Sequence, residues 1–300
     1  NESSPAVMES SQVKYCTLNS SEFQGRISIN KTQSDMEELE RKYQYLNSGG
    51  HHIPEDCKAT SRVAIIVPYR DREAHLKIFL NNMHPFLIKQ KLDYSIIVVE
   101  QIDGTVNRAK LLNIGFVEAL KLYDWQCFIF HDVDILPEDD RNLHNCPFQN
   151  PRHMAVAVNK FGYKLAYERI FGASSALTAE QFRKVNGFSN RYWGWGGEDD
   201  DMYTRVELLG YKVDRYNETI ARYTMLEHSR DKSNPVNPCR FNLMALTKHD
   251  WKIDGLNSLA YKLMNITMKP LFTHIVVDLL EDEEKKRVEA DFCKDVDMTR

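Results

Sequence analysis

Between Val63 and Asp134 the chain repeats one pattern, and that pattern restricts the fold more than any other feature of the sequence. Val63-Ala64-Ile65-Ile66-Val67-Pro68 is a short apolar run closed by proline, which suits a strand buried on both faces. Over residues 73–90, Leu76, Phe79, Leu80, Met83 and Leu87 fall at helical spacing. Residues 94–100 form a second apolar run rich in Ile and Val, and Asp103-Gly104 turns the chain. Residues 107–122 place Ala109, Leu112, Phe116 and Leu120 on one helical face, and residues 127–130 begin a third strand that runs into His131-Asp132-Val133-Asp134. Such alternation predicts an α/β fold, a mostly parallel sheet with flanking helices. Open α/β sheets bind ligands at the carboxyl ends of their strands. The polar segments 69–72 and 132–134 stand at two such ends. Neither is a glycine-rich phosphate loop, so phosphate there must be met by arginines or a metal.

Composition narrows the partners. A formal net charge of −4 leaves no electrostatic footprint for nucleic acid. No apolar run reaches the roughly 18 residues a membrane span needs, and the N-terminus lacks the apolar region of a signal peptide. The chain starts at Asn1 without a methionine, which suggests the luminal or extracellular part of a longer protein. Six cysteines, none in a CxxC pair, argue against zinc and suit three bridges. Five N-x-S/T sequons, at Asn1, Asn19, Asn30, Asn217 and Asn265, add to the case for the secretory pathway over a reducing cytosol.

The remaining segments divide the chain. Residues 1–57 are polar and weakly patterned and read as a stem-like arm. Residues 58–280 read as the main folded domain, and the charged tail 281–300 reads as an exposed helix or frayed end. Within the domain, residues 154–158, 174–177 and 211–216 are further strand candidates, and residues 160–171 form an aromatic-rich loop. Thr178 and Gln181 form a capping-box pattern that opens a short helix. Residues 226–246 are polar, with Asn234-Pro235 and Asn237-Pro238, and read as one long loop of the functional or mobile kind. Residues 275–280 are the last apolar run.

Three constellations carry chemistry. The stretch 192–201, YWGWGGEDDD, packs two tryptophans, three glycines and four carboxylates into ten residues ahead of a helix that ends at Gly210. An isolated acidic cluster of this kind is more often a helix start, where the macrodipole favours negative charge. The aromatic-glycine approach adds stacking surfaces beside a candidate general base. Asp132 and Asp134 lie on the same side of a strand-like segment, able to share a hard cation that offsets the charge of a nucleotide diphosphate. As a bare tripeptide, D-x-D is also common in solvated loops. Met225-Leu226-Glu227-His228 offers an imidazole ligand, whereas a thioether is a poor match for a hard ion and on chemistry alone belongs to the core. Arg70, Arg72 and Arg108 flank the strand ends, where guanidinium forks match phosphate oxygens, although any one of them alone is more often an ordinary surface ion pair.

These segments occur together in a recognisable order: VAIIVPYRDR from Val63, NRAKLLN from Asn107, HDVD from His131, YWGWGGEDDD from Tyr192 and MLEHSRDK from Met225. In this the chain resembles the animal β-1,4-galactosyltransferases and their N-acetylgalactosaminyl relatives, over roughly residues 57–280. The resemblance implies a GT-A glycosyltransferase fold and an inverting, Mn²⁺-dependent enzyme of the Golgi lumen, anchored by an N-terminal membrane helix outside this sequence. It implies a nucleotide-sugar site of Pro68, Tyr69, Arg70, Arg72, Val106, Arg108, Asp132, Val133, Lys160, Ile170, Trp195 and Glu198. Tyr69 and Val106 stand where the family usually has Phe, which puts the uracil packing in question. The implied metal ligands are Asp134, Met225 and His228, so the family pattern overrides the chemical objection to Met225. The base would be Asp199, with Glu198 and Asp200 holding sugar hydroxyls. Acceptor GlcNAc would meet Tyr167, Gly196, Gly197, Asp199, Asp200, Arg240, Phe241 and Met244, under a lid formed by residues 226–246. Asp201 has no role beyond the helix start. Bridges are implied for Cys16–Cys57 and Cys127–Cys146, whereas Cys239 and Cys293 have no counterpart in the family and their pairing, with each other or otherwise, is left open.

One position bears on the donor. Galactose-transferring members generally carry Tyr before the Phe-Gly that matches Phe171-Gly172, and this chain has Ile170. A smaller aliphatic wall leaves room for a 2-acetamido group, and invertebrate members with an aliphatic residue there transfer GalNAc. Ala173 replaces the next glycine of the family pattern and also alters the donor wall. The expectation is transfer of GalNAc from UDP-GalNAc to a terminal GlcNAc of a glycoprotein or glycolipid, with UDP-Gal as the alternative donor. A non-catalytic carbohydrate-binding protein is a more distant reading.

Overall fold

The computed structural model describes residues 13–102, 104–227 and 234–293. Its strands are β1 (Arg62–Tyr69), β2 (Asp93–Gln101), β3 (Cys127–His131), β4 (Ile135–Pro137), β5 (Arg152–His153), β6 (Ala157–Val158), β7 (Ser174–Thr178), β8 (Asp214–Arg215), β9 (Arg222–Met225), β10 (Lys262–Met268) and β11 (Thr273–Asp278). Its helices are α1 (Met36–Lys42), α2 (Glu73–Lys89), α3 (Arg108–Leu122), α4 (Ala179–Lys184), α5 (Glu198–Leu208), α6 (Arg240–Asp250) and α7 (Glu281–Phe292).

Eight strands form the main sheet in the order β10-β11-β2-β1-β3-β7-β5-β8, and β4-β9-β6 form a small second sheet. Strands β11, β2, β1 and β3 are mutually parallel, whereas β7 runs antiparallel to β3 and β10 antiparallel to β11. The β1 residues alternate between two cores. Ala64 and Ile66 face the side covered by α3, and Val63, Ile65 and Val67 face the side covered by α2. This double burial explains why the strand reads as an unbroken apolar run. Helix α3 lies unusually close to the sheet, because a Cβ on Gly115 would come within 2.3 Å of the Ile66 side chain.

The first three strands and two helices fall where the sequence pattern puts them, and the Thr178–Gln181 capping box forms in full at α4. Elsewhere tertiary pairing overrides local pattern. The apolar run 154–158 is not one strand: the chain leaves β5 in the main sheet and enters β6 in the small one. Both destinations are buried, so hydrophobicity does not report the change of sheet. The expected strand 211–216 shrinks to β8. Strand β10, which sequence reading passed over, lies at the sheet edge, where even its apolar residues Leu263, Met264 and Met268 are exposed. The expected loop 226–246 is not loop throughout, because α6 begins at Arg240. Its N-terminal part includes residues outside the described set.

Three disulfides form, Cys16–Cys57, Cys127–Cys146 and Cys239–Cys293. The first fastens the segment before β1 to itself, and α1 packs onto α2 through the buried Leu39 and Tyr43. Among the described residues, no helix is long and apolar enough to cross a membrane.

On α5 itself, Arg205 is the largest fully buried side chain among the described residues, 1% exposed. Its Nε donates to Asp201 Oδ1 at 2.5 Å, and its Nη1 donates to the main-chain oxygens of Asp254 at 2.7 Å and Gly187 at 3.2 Å. Its Nη2 lies 3.5 Å from Asp254 Oδ2. Asp201 also accepts from Thr247 of α6 at 2.6 Å and from the Tyr192 hydroxyl at 3.3 Å. Asp201 therefore has a role that the sequence did not disclose: it joins α5, α6 and the aromatic turn. Removing the guanidinium would leave the buried Asp201 without its cationic partner, whereas Asp254 keeps Ser189, Asn190 N and Arg191, so Arg205→Met should lose about 3–5 kcal/mol of stability in urea unfolding. A loss below about 1 kcal/mol would contradict this central place.

Candidate active site

The carboxyl ends of β1, β2 and β3 open on one side of the sheet, and the loops that leave them build the site. Pro68 and Tyr69 end β1, Arg70 leads into the turn before α2, and Arg72 is the N-cap residue of α2. Arg70 hydrogen-bonds through Nη1 to the oxygen of Gly104 in the loop after β2. The Tyr69 hydroxyl is half-buried, and burial pushes its pKa up to about 12. In the next loop the Val106 oxygen accepts from Gly194 N at 2.8 Å, which ties this loop to the aromatic turn. Asn107 caps α3 through its side chain, a bond from Lys110 N to Oδ1 of 2.9 Å.

Arg108 opens α3 and organises the acids around it. Its Nε donates to Asp132 Oδ1 at 2.7 Å, and its Nη1 lies 3.6 Å from Glu198 Oε1. Burial works against the guanidinium charge, but Asp132 and Glu198 outweigh it and hold the Arg108 pKa above its ordinary value. Glu198 is buried, which raises its pKa, and its Oε2 has no hydrogen-bond partner. A buried carboxylate oxygen left unpaired is costly and invites a donor such as a sugar hydroxyl.

The stretch 192–201 splits into two parts. Tyr192 and Trp193 are core residues, whereas Trp195 is 59% exposed. The Trp195 main chain pairs with the segment after residue 233: its N donates to Pro235 O at 2.7 Å, and its O accepts from Asn237 N at 3.0 Å. Glycine is required here twice over. Gly194, Gly196 and Gly197 all have φ between +85 and +102, and a Cβ on Gly194 would lie 2.5 Å from Pro235 O. Gly197 then caps α5, whose first turn is made by the four acids themselves, not by the apolar residues after them. Each acid has its own surroundings. Glu198 faces Arg108. Asp199 lies against Gly172, where a Cβ would sit 2.5 Å from Asp199 Oδ2. Asp200 is hydrogen-bonded by Tyr167. Asp201 is buried with Arg205. Burial, reinforced by the charges of Glu198 and Asp200, pushes the Asp199 pKa up to about 7. Asp200 is also raised by burial, with Tyr167 and Arg169 opposing.

Across the loop from β3, Val133 is buried and β4 pairs with β9, setting Ile135 opposite Met225. Leu226 N donates to Asp134 O at 2.7 Å, and Met225 N donates to Asn159 Oδ1 at 2.8 Å. Asp134 and Met225 are thus brought together. His228 lies outside the described residues. A carboxylate beside this strand end suits a hard divalent cation, and an imidazole suits manganese. No cluster of three or more His, Cys, Asp or Glu occurs among the described residues. His131, which precedes the DVD segment, is fully buried, and burial lowers its pKa to about 4, so it is neutral.

Lys160 is exposed on a single turn of 3-10 helix, and Tyr167 is exposed at the site edge. Arg240 and Phe241 open α6, with the guanidinium stacked 4.4 Å from the Phe241 ring centroid. The Arg240 side chain also lies against Gly196 and Gly197. Met244 sits further along, packed on the core. Ile170 is held by its main chain, with N donating to Tyr167 O at 3.2 Å and O accepting from Arg215 Nη2 at 3.0 Å. Ala173 occupies the left-handed region at φ +61, the conformation that favours glycine. Sequence reasoning missed Gly172 and Asn159 as site-builders. The only signal for Gly172 was its place before a residue that stands where a glycine is usual.

Such an arrangement of a mostly parallel sheet with flanking helices is the GT-A-like fold of glycosyltransferases. Residues 16–147 match the family described as the N-terminal region of glycosyl transferase group 7, and residues 152–229 match the N-terminal domain of galactosyltransferase. The chain is 50% identical over 246 residues to β-1,4-galactosyltransferase 1 of Mus musculus, covering 82% of this chain but only 61% of that protein. It is 48% identical over 275 residues to β-1,4-galactosyltransferase 4 of Cricetulus griseus, covering 91% of this chain and 79% of that protein. The chain belongs to the β-1,4-galactosyltransferase family. A solved structure of the catalytic domain of Drosophila β-1,4-galactosyltransferase 7 with xylobiose superposes at TM-score 0.64 and 29% identity, over 75% of this chain and 98% of the other. A variant of that enzyme, equally similar, was solved with manganese, UDP-Gal and xylobiose.

Folding takes up a proton at Asp199, because the folded carboxyl releases it near pH 7 and the unfolded one near 3.8. Stability from this group therefore falls as pH rises through that window and is level above it. Asn cannot titrate, so the stability advantage of Asp199→Asn over the parent should widen from about pH 4 to pH 7 and then stay constant. Urea midpoints across that range check it, and a gap that does not change with pH would contradict the raised carboxyl.

Proposed function

We propose that the chain is an inverting, Mn²⁺-dependent glycosyltransferase that moves GalNAc from UDP-GalNAc to the 4-hydroxyl of a terminal β-GlcNAc, forming GalNAcβ1-4GlcNAc on glycoproteins or glycolipids. The observation that carries it is Asp199, a half-buried carboxyl whose pKa is pushed up to about 7, close to the value that serves a general base. In this reading Asp199 takes the proton of the acceptor 4-hydroxyl as that oxygen attacks C1 of the donor sugar. UDP leaves on the opposite face, so an α-linkage becomes β. Glu198, with its unpartnered Oε2, receives a hydroxyl of the sugar. Asp200 and Tyr167 orient the acceptor, and Trp195 offers a stacking face. Arg240, Phe241 and Met244 line the N-acetyl side, with Gly196 and Gly197 giving close approach.

On the donor side, Pro68, Tyr69 and Val106 hold the uridine, and Arg70, Arg72, Arg108, Val133 and Lys160 serve the nucleotide sugar together with Asp132. Asp134, Met225 and His228 would hold Mn²⁺, which offsets diphosphate charge in the leaving group. Residues 226–246 act as a lid that excludes water from the bound sugars. Three disulfides favour an oxidising compartment, and the Golgi lumen, with an N-terminal membrane anchor on the full-length protein, fits this reading.

GalNAc is preferred over galactose because of Ile170. Its main chain is pinned, and it lies two residues before Gly172, whose Cα faces the Asp199 carboxylate. In this reading the side chain at this position borders the donor sugar, where Ile leaves space that Tyr would fill. The names of the relatives favour UDP-Gal instead.

A steady-state comparison of UDP-GalNAc and UDP-Gal, with Mn²⁺ and a simple GlcNAc acceptor, decides between them. The expected result is a kcat/KM preference for UDP-GalNAc, and Ile170→Tyr should reverse it by at least about tenfold. A clear preference of the parent for UDP-Gal sinks the GalNAc assignment. Asp199→Asn should lower transfer by about 10²-fold or more while UDP binding is retained, and unchanged turnover would remove Asp199 as the base.

A further inference from the structure

Helix α7 takes no part in the chemistry above, yet its two ends reach both sides of the site. It is charged along most of its length, and Val288 is its only buried residue. Apolar burial of that extent does not hold a helix of this length in place. Its ends are held by specific contacts instead.

At the N-terminal end, Glu281 Oε2 accepts from Thr105 N at 2.7 Å, and Lys285 Nζ donates to Thr105 Oγ1 at 2.8 Å. Gly104, at φ +77, lets the loop approach: a Cβ there would overlap Glu281 Oε2, only 1.7 Å away. Lys110, buried in the first turn of α3, donates from Nζ to Leu279 O at 2.7 Å just before α7 begins. The loop so held is the one that carries Val106 and delivers Arg108 to Asp132 and Glu198.

At the C-terminal end, Cys293 is bonded to Cys239, the N-cap residue of α6. Asn242 Nδ2 donates to Phe292 O at 3.2 Å, and the Arg191 guanidinium stacks 4.2 Å from the Phe292 ring centroid. Cys239 immediately precedes Arg240 and Phe241 and lies two residues after Asn237, which pairs with Trp195.

We propose that α7 is a strap that sets the two walls of the site independently, Glu281 positioning the donor wall through Thr105 and Cys293 positioning the acceptor wall through Cys239. Neither residue touches a reacting atom, so both are positioning residues. The inference rests on the transferase reading for its division into donor and acceptor, but the mechanical claim stands apart from it.

The test uses the full chain and two variants, Glu281→Ala and the double variant Cys239→Ser/Cys293→Ser. In transfer assays with Mn²⁺, UDP-GalNAc and a GlcNAc acceptor, the double serine variant should raise the acceptor KM by about tenfold and leave the donor KM unchanged. Glu281→Ala should do the opposite. Equal shifts in both constants, or a loss of thermal stability with both constants unchanged, would reduce α7 to a structural element and overturn the proposal. If the parent shows no transfer with any donor, the functional reading fails and amide hydrogen exchange without ligands decides the strap. Exchange should then quicken over residues 237–250 alone in the double serine variant, and over residues 104–108 alone in Glu281→Ala. Uniform or absent changes would overturn it.

Discussion

The buried Arg205 guanidinium is the interaction on which the rest of the site depends. It is fully enclosed, and it holds Asp201 of its own helix and Asp254 of the chain after α6. Asp201 in turn holds Thr247 and Tyr192. One charged cluster therefore fixes the position of α5, its angle to α6 and the aromatic turn before it. An ion cluster of this kind gains little over apolar packing in stability, but it is satisfied in only one arrangement. That suits a helix whose first turn must present three other carboxylates in fixed places.

Those three carboxylates are an electrostatic load. The N-terminal end of a helix favours negative charge, which offsets part of it, and Arg108 offsets more by standing between Asp132 and Glu198. The remainder is not relieved. Glu198 keeps an unpaired oxygen, and Asp199 holds its proton up to about pH 7. Unrelieved cost of this sort is characteristic of sites kept ready for a ligand, and the surrounding fold sustains it through two large cores on either face of the sheet. The strain at Ala173, in the left-handed region between Gly172 and β7, belongs to the same neighbourhood.

Much of this was readable from residue order. The strands β1, β2 and β3 and the helices between them announced themselves because strands buried on both faces and amphipathic helices have distinct periods. The motifs at their ends supply the candidate site residues. Four other features were hidden because they depend on pairing partners distant in sequence. The run 154–158 divides between two sheets, α6 starts inside what reads as a loop, β10 is an edge strand whose apolar residues are largely exposed, and Asp201 looks like its neighbours.

The sequence by itself determined the α/β architecture, the family and the segments at the strand ends that carry the candidate site residues, because periodicity and short motifs are local properties of the chain. Only the tertiary structure separated the four acids of α5, giving Arg108 to Glu198, Gly172 to Asp199, Tyr167 to Asp200 and Arg205 to Asp201. Four consecutive carboxylates are chemically alike in a sequence. They become different when the fold assigns each one its own depth from water and its own partner, since desolvation and neighbouring charge are what set a carboxyl's proton affinity.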